Sequence, residues 1–454
     1  MDVFGSSGVR GIALEELTPA DAMAVAQAAG AEVSADRVAV GRDTRQTGQL
    51  LIEAAASGLA SVGCDVDRLE IVPTPSLQAY CEREGVPGLM VTASHNPAKY
   101  NGIKLCGADG VELTSEALER IEGRLGGDPN LVRWDGTGRI TSVDSANRRY
   151  REQLLAAVDR ERIADADLTV ALDPGHGAGA LSSPELFRQL GCRVVTVNAQ
   201  PDGHFPGRRP EPVEDNLADL GRLVRSADAD IGIAHDGDAD RAIFFDEHGE
   251  FVEGDAALAA IAASELSAGG VAVSAVNASQ RLVDVTEAAD ADLELTPIGS
   301  THIITAIRRL QAEGATVPIA GEGNGGIIFP DYRTARDGAY TAVRFCELAV
   351  DRSVSEVVAE YDGYHNVRRN VGYSDAEQRA AMIGAIEATA SEAEAPVDTT
   401  DGYRLDYGDA WVLARPSGTE PVIRVYAEAS GAERAAELAE RMVGAIEDAK
   451  QFAA

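Results

Sequence analysis

The chain has 454 residues, 40 Lys and Arg against 74 Asp and Glu, a formal net charge of −34 and 45% apolar residues. That length predicts about two to four domains, and the apolar share is that of a folded globular protein and not a disordered one. A surface so acidic repels phosphate backbones and anionic lipid, which argues against nucleic acid and membrane surfaces as partners.

Of the 40 basic residues, 37 are Arg; the only lysines are Lys99, Lys104 and Lys450. With the carboxylate excess, this suggests a halophilic protein whose self-repulsion is screened by salt. Cys64, Cys81, Cys106, Cys192 and Cys346 are scattered, odd in number and free of any CxxC pair. They read as reduced, mostly buried small hydrophobes, with neither a disulfide framework nor a zinc site. The longest Ala-rich stretch, 254–266, is interrupted by Asp255 and Glu265 and is too short to span a bilayer. The first five residues carry neither a basic start nor an apolar run, so secretion is not indicated and a cytoplasmic location is expected.

In chain order, β-branched runs recur, each followed by a loop and a helical pattern. The run Val38-Ala39-Val40-Gly41-Arg42-Asp43 precedes a helix over 49–62 and a strand over 65–71. Val170-Ala171-Leu172-Asp173 precedes a helix over 184–190 and a strand over 193–197. Val271-Ala272-Val273-Ser274 precedes a helix over 281–288 and a strand over 293–297. Strand, loop, helix, strand repeated three times predicts α/β domains with mixed or parallel sheets. The similar phrases Val62-Gly63-Cys64-Asp65 and Leu190-Gly191-Cys192-Arg193 point to internal duplication. The last hundred residues differ. Helices over 375–390 and 431–449 flank strands over 410–413 and 421–429, which predicts a small α+β domain. A connecting helix over 148–163, a turn-rich hinge over 246–254 and a linker over 361–373 are the expected boundaries.

Four loops carry chemistry. Thr92-Ala93-Ser94-His95-Asn96-Pro97 follows the apolar run Gly88-Leu89-Met90-Val91, so Ser94 sits where a strand ends. A Ser-His dyad is not expected there, because neighbours on an extended chain point their side chains apart. His235-Asp236-Gly237-Asp238-Ala239-Asp240-Arg241 follows Ile231-Gly232-Ile233-Ala234. Carboxylates at period two lie roughly 6.5–7 Å apart on an extended chain, too far to share an ion. Gly237 and Ala239 let the loop curl so that the three converge on a hard divalent cation, Mg²⁺ first. A helix–loop–helix calcium site would need Gly where Arg241 stands. Ala320-Gly321-Glu322-Gly323-Asn324-Gly325-Gly326 brings a carboxylate and an amide to a backbone that a ligand can approach, which suits a polyol. Arg415-Pro416-Ser417-Gly418-Thr419-Glu420-Pro421, with Arg424 beyond, suits a phosphate. Lys104, in a chain that uses Arg nearly everywhere, suggests proton transfer or phosphate binding.

Together and in this order, the loops resemble the α-D-phosphohexomutase superfamily along essentially the whole chain, from Phe4-Gly5-Ser6-Ser7-Gly8-Val9-Arg10-Gly11 onward. The resemblance implies three related mixed-sheet α/β domains and a smaller C-terminal α+β domain around a central cleft. These would span 1–147, 148–250, 251–360 and 361–454. It implies phosphorylation of Ser94, and one Mg²⁺ held by Asp236, Asp238, Asp240 and a phosphate oxygen on Ser94. Glu322 and Asn324 match the sugar loop. Arg415, Ser417, Gly418 and Thr419 match the loop for the non-reacting phosphate, with Arg424 assisting, and Arg10, His95, Lys104 and Arg241 match positions around the reacting group. The implied activity is interconversion of hexose 6-phosphate and 1-phosphate through a hexose bisphosphate. Asn324, where many members have Ser, resembles archaeal-type members associated with glucosamine phosphates, with mannose or glucose phosphates as the alternative. A phosphoserine-forming phosphatase and a non-catalytic sugar-phosphate or metal-binding protein are the readings from other classes. The Arg415 loop argues against the first, and Ser94 with Lys104 against the second.

Overall fold

The computed structural model describes residues 8–33, 35–418 and 420–452. Thr419 and residues 4–7 of the opening motif therefore lie outside the described residues. The chain forms two compact units, Met1–Ile261 with Pro318–Glu360, and Ala262–Val317 with Tyr361–Ala454.

The first unit opens with a six-stranded sheet in the order Val9–Ile12, Tyr100–Cys106, Gly88–Val91, Arg37–Arg42, Asp65–Ile71, Ile140–Ser142. Arg37–Arg42 runs parallel to both neighbours, and Gly88–Val91 pairs antiparallel with Tyr100–Cys106. All four residues of Gly88–Val91 are buried, which is why it reads as an unbroken apolar run and not an alternating one. Helices Pro19–Val33 and Gly48–Ser61 cover one face through Ala22, Ala26 and Ala29 against Leu51, Ile52 and Ala55. A methyl group on Gly58 would stand 2.6 Å from the carbonyl of Met23, so this helix pair needs its small residues to approach. Helix Thr74–Glu84 covers the other face with Leu77, Tyr80 and Cys81.

The second sheet repeats the plan in the order Phe251–Val252, Ile243–Phe245, Ile231–Ala234, Thr169–Asp173, Arg193–Thr196. Thr169–Asp173 is parallel to both neighbours, and Ile231–Ala234 turns back antiparallel into Ile243–Phe245. Ile319–Glu322, Gly326–Phe329 and Arg333–Arg336 form a third antiparallel run in this unit. The Ser94, Asp236–Asp240 and Asn324 loops thus hold one topological position, each joining a buried strand to its antiparallel partner.

In the second unit, Val271–Ala275 pairs parallel with Asp292–Thr296. A wholly antiparallel five-stranded sheet follows in the order His365–Gly372, Val422–Ala429, Ala410–Pro416, Tyr403–Asp406, Val397–Asp398. Helices Ala376–Glu392 and Ala432–Phe452 pack on it through Met382, Ile386, Leu438 and Met442. This is the expected α+β domain.

Three expectations are corrected. The connecting helix is two helices, Ala146–Ala156 and Arg160–Asp165, because the Asp159 side chain accepts from the Arg162 amide and starts a new helix. The hinge over 246–254 is a hairpin turn followed by the strand Phe251–Val252, with Asp246 Oδ1 accepting from the amides of His248 and Glu250. Most of the linker over 361–373 is the edge strand His365–Gly372, whose exposed Arg368, Arg369 and Asn370 conceal the strand period. All five cysteines are free and buried, and no helix among the described residues is long and apolar enough to cross a membrane.

Candidate active site

Ser94 is buried just past the end of Gly88–Val91, with φ +50°, a left-handed conformation uncommon for a residue with a side chain. Its environment over-determines that backbone. The Ser94 amide donates to Thr92 Oγ1 at 2.9 Å, and the Thr92 hydroxyl donates to Asp43 Oδ2 at 2.7 Å. Fully buried Arg45 donates to the carbonyls of Ser94 at 2.8 Å, Asn96 at 2.7 Å, Pro97 at 2.7 Å and Tyr100 at 3.0 Å. Its remaining Nε–H pairs with Asp43 at 3.0 Å. The left-handed turn also brings Ser94 Oγ to 3.3 Å from His95 Nδ1, closer than neighbours on an extended chain would come. Burial and the cations Arg241 and Arg10 push the His95 proton affinity far down, Arg241 most, so the ring is neutral.

The Ser94 hydroxyl donates instead to Asp236 Oδ2 at 2.6 Å. The acidic loop curls as expected: Ala239 takes φ +56°, and ligand atoms of Asp236, Asp238 and Asp240 lie within 4.8 Å of one another. Gly237 serves close approach, since a methyl group there would stand 2.6 Å from the Ser94 carbonyl.

The three buried carboxylates have unequal surroundings. Burial raises all of them, but Lys104 Nζ at 2.9 Å and Thr74 Oγ1 at 2.6 Å on Oδ2 hold Asp238 below the usual carboxylate range. Arg336 Nη2 at 2.8 Å and Lys104 at 3.1 Å on Oδ2 hold Asp240 below it as well. Asp236 lies well above it, through burial and the charges of Asp238 and Asp240. Burial opposes the charge on Lys104, but Asp238 and Asp240 outweigh it and the amine is a fixed cation. Oδ1 of Asp238 and Oδ1 of Asp240 are buried without a hydrogen-bond partner among the described residues, and so are Nε of Arg10, Arg241 and Arg336. Orphaned anionic oxygens fit a hard cation, and orphaned guanidinium donors fit an anion.

The Glu322–Gly326 turn adjoins this site. The Ala242 amide donates to the Gly325 carbonyl at 3.0 Å, tying the turn to the chain just beyond the acidic loop. Glu322 is buried, and Asn324 Oδ1 accepts from the Gly326 amide at 3.0 Å.

In the second unit, Arg415 and Arg424 are register partners on adjacent antiparallel strands. Like charges directly opposite repel, and here each has a carboxylate: Arg415 Nε lies 2.9 Å from Asp401 and Arg424 Nη2 2.7 Å from Glu420. Ser417 Oγ accepts from the Glu420 amide at 3.3 Å, and a methyl group on Gly418 would meet open space.

The chain matches four family descriptions in order. They are the alpha/beta/alpha domains I, II and III of phosphoglucomutase/phosphomannomutase over residues 1–129, 148–249 and 253–364, and its C-terminal domain over 367–445. The chain belongs to the phosphoglucomutase/phosphomannomutase family. A probable phosphoglucosamine mutase of Methanopyrus kandleri is 41% identical, over 98% of this chain and 97% of that one. A phosphoglucomutase/phosphomannomutase of Thermococcus kodakarensis is 39% identical, over 98% and 99%. A solved structure of a phosphoglucomutase/phosphomannomutase family protein from Burkholderia thailandensis superposes with a TM-score of 0.86 at 27% identity, covering 99% of this chain and 97% of that one.

Within this phosphohexomutase, the first unit gathers Ser94, His95, Lys104, Arg10, Arg241 and the three aspartates, with Glu322 and Asn324 in the adjoining turn. Arg415, Ser417, Gly418 and Arg424 belong to the second unit. Sequence reasoning missed Thr74, Arg336, and the clamps Arg45–Asp43 and Arg208–Asp173. Arg208 pairs with Asp173 at 2.8 Å and donates to the His235 carbonyl at 2.6 Å, doing for the acidic loop what Arg45 does for the Ser94 loop. The available signal was positional: Asp173 ends its strand and Asp43 directly follows its own, so each acid stands at the carboxyl end of a duplicated strand.

Proposed function

We propose that this phosphohexomutase interconverts hexose 6-phosphate and hexose 1-phosphate through a phosphorylated Ser94 and a hexose bisphosphate, with glucosamine phosphate as the preferred substrate. The observation that carries the reading is one buried hydroxyl, on Ser94, bonded to one of three converging carboxylates among buried cations with unused donors. Asp236, Asp238 and Asp240 would hold Mg²⁺, with a phosphate oxygen on Ser94 as a further ligand. Bound there, the ion supplies charge stabilisation for a phosphoryl group in transfer.

The chain's own residues do the rest. Arg45 and Thr92 fix the Ser94 backbone and Gly237 lets the acidic loop approach it, so Oγ is presented in one direction. In the first half-reaction the phosphorus–Oγ bond breaks as a bond forms from phosphorus to a sugar hydroxyl oxygen; that hydroxyl loses its proton and Oγ gains one, which regenerates the seryl hydroxyl. In the second half-reaction the bond from the other phosphorus of the bisphosphate to its sugar oxygen breaks as that phosphorus bonds to Oγ; the seryl hydroxyl loses its proton and the released sugar oxygen gains one. Lys104, Arg10 and Arg241 stabilise charge on the equatorial oxygens, and His95 Nδ1 lies 3.3 Å from Oγ. Glu322 and Asn324 bind sugar hydroxyls. Arg415, Ser417, Gly418 and Thr419, assisted by Arg424, take the phosphate that is not reacting. That second grip separates a mutase from a phosphatase, which has no use for it.

The glucosamine preference rests on Asn324 and the 41% identical Methanopyrus relative. A second reading, with glucose or mannose phosphates as substrate, is favoured by the 39% identical Thermococcus relative. Coupled assays of glucosamine, mannose and glucose phosphates with Mg²⁺ decide between them. The expected result is the highest kcat/KM for glucosamine 6-phosphate, and a tenfold preference for either other sugar, about 1.4 kcal/mol, reverses the assignment.

A further inference from the structure

We propose that Arg336 is a positioning residue for phosphoryl transfer, orienting Asp240 toward the divalent cation while its stem braces the Glu322–Gly326 turn. The inference rests on the metal and sugar roles proposed above. Arg336 ends the strand Arg333–Arg336, 96 positions beyond Asp240, and is almost wholly buried. Its Nη2 donates to Asp240 Oδ2 at 2.8 Å, whereas it stands 3.9 Å from Glu112. Lys104 shares the same oxygen at 3.1 Å but is itself divided between Asp238 and Asp240. Arg336 thus makes the shortest contact of any cation to Asp240 and is not shared with Asp238, while Arg241 Nε stands 4.0 Å from Oδ1, beyond hydrogen-bond distance. With Oδ2 occupied, Oδ1 is the atom left open, buried and without a hydrogen-bond partner among the described residues.

The stem does separate work. A methyl group on Gly326 would stand 2.7 Å from Arg336 Cδ and 3.0 Å from Asn324 Oδ1, so the arginine fills the space over the turn that presents Asn324. The charges of Asp240, Glu112 and Glu322 hold the guanidinium firmly protonated against its burial. One side chain therefore touches a carboxylate of the acidic triad and the turn assigned to the sugar. Partners of this kind that orient a ligating group are typically worth about 10- to 100-fold in metal affinity or activity. Binding at two sites joined by one such element is reciprocal, so sugar phosphate and cation should each strengthen the other's affinity.

Mn²⁺ serves as the probe, with bound ion counted by paramagnetic resonance on the full chain, without and then with glucosamine 6-phosphate. Arg336→Gln is expected to raise the Mn²⁺ Kd about tenfold before any sugar is added, and to abolish the strengthening by sugar phosphate. Arg336→Lys, which keeps a cation but loses the planar fork, is expected to recover only part of both effects. A folded Arg336→Gln variant with wild-type or tighter Mn²⁺ affinity overturns the inference and leaves the metal site itself standing. Failure of the wild-type chain to bind Mn²⁺ overturns the metal role beneath it. If the glutamine variant does not fold, Gly326→Ala, which presses on the Arg336 stem without removing its charge, carries the test: weakened Mn²⁺ binding supports the brace, and unchanged binding refutes it.

Discussion

Ser94 Oγ donates to Asp236 Oδ2 across 2.6 Å, joining residues 142 positions apart. The bond places a hydroxyl from the first sheet against the acidic cluster of the second. It survives close approach only because Gly237 lacks a side chain where the Ser94 carbonyl passes. Ser94 and the acidic loop therefore form one preorganised object in the first unit.

Replacing Ser94 with Ala tests the centre of that object. The variant loses the only atom proposed to carry the phosphoryl group, while its left-handed backbone stays clamped by Arg45. Activity should fall by at least about 10³-fold, with a melting temperature within a few degrees of wild type. Intact mass should show one phosphate on the wild-type chain and none on the variant. Normal turnover by the variant would remove Ser94 from the mechanism.

Arg45→Lys probes the clamp. Arg45 makes five hydrogen bonds from full burial, four of them to loop carbonyls. A lysine amine has three donors, so buried carbonyls are left unpaired at a cost of about 1–3 kcal/mol each. Urea unfolding should show a loss of at least about 2 kcal/mol. The folded fraction should also have a lower kcat at unchanged KM, because the loop positions Ser94 and not the distal phosphate. A kcat equal to wild type would make Arg45 purely structural.

Asp238→Asn bears on the cation. Oδ1 of Asp238 is one of the two unpartnered carboxylate oxygens, and Lys104 and Thr74 fix the other oxygen of the same group. Removing its charge should raise the Mg²⁺ concentration for half-maximal activity at least about tenfold, and chelation of divalent ions should abolish wild-type turnover. An unchanged metal titration counts against the triad.

Much of this was legible from short runs of residues. The buried strands before Ser94 and Asp236 announce themselves as unbroken apolar stretches because both faces of each are covered. The acidic loop's curl follows from small residues at 237 and 239. What stayed hidden depends on distant pairing. Arg336 reaches Asp240 over 96 positions and Thr74 reaches Asp238 over 164, and neither has local neighbours that mark its role. The edge strand His365–Gly372 escaped because only Val371 among its residues is buried, so the alternation that betrays a half-buried strand is missing. The closeness of Ser94 and His95 escaped for a related reason, although the hydroxyl donates to Asp236 and not to the ring: alternation of side chains presumes extended backbone, and φ +50° breaks it.

Arg415→Ala addresses the proposed second phosphate grip. Arg415 and Arg424 face each other across adjacent strands with carboxylates to steady them, an arrangement that gains from an anion between the guanidinium groups. Loss of one charged hydrogen-bonding partner is worth about 1.5–3 kcal/mol, so KM for the hexose phosphate should rise about 10- to 100-fold, with kcat falling less. An unchanged KM would detach this loop from substrate binding.

The net charge of −34 makes a claim about solvent. Acidic side chains outnumber basic ones by 34, and many of the basic ones are committed to internal pairs, as Arg45 is to Asp43 and Arg208 to Asp173. The surplus carboxylates repel one another across the surface. Raising ionic strength from 0.01 M to 1 M shortens the screening length from about 30 Å to about 3 Å, which removes nearly all of that long-range repulsion in the compact state. The expanded unfolded chain spreads the same charges further apart and has less to gain. The melting temperature should therefore climb steeply over this range in KCl, a salt with little preferential exclusion of its own. A flat profile would show that the carboxylate excess is tolerated without salt, and the halophilic reading would fail.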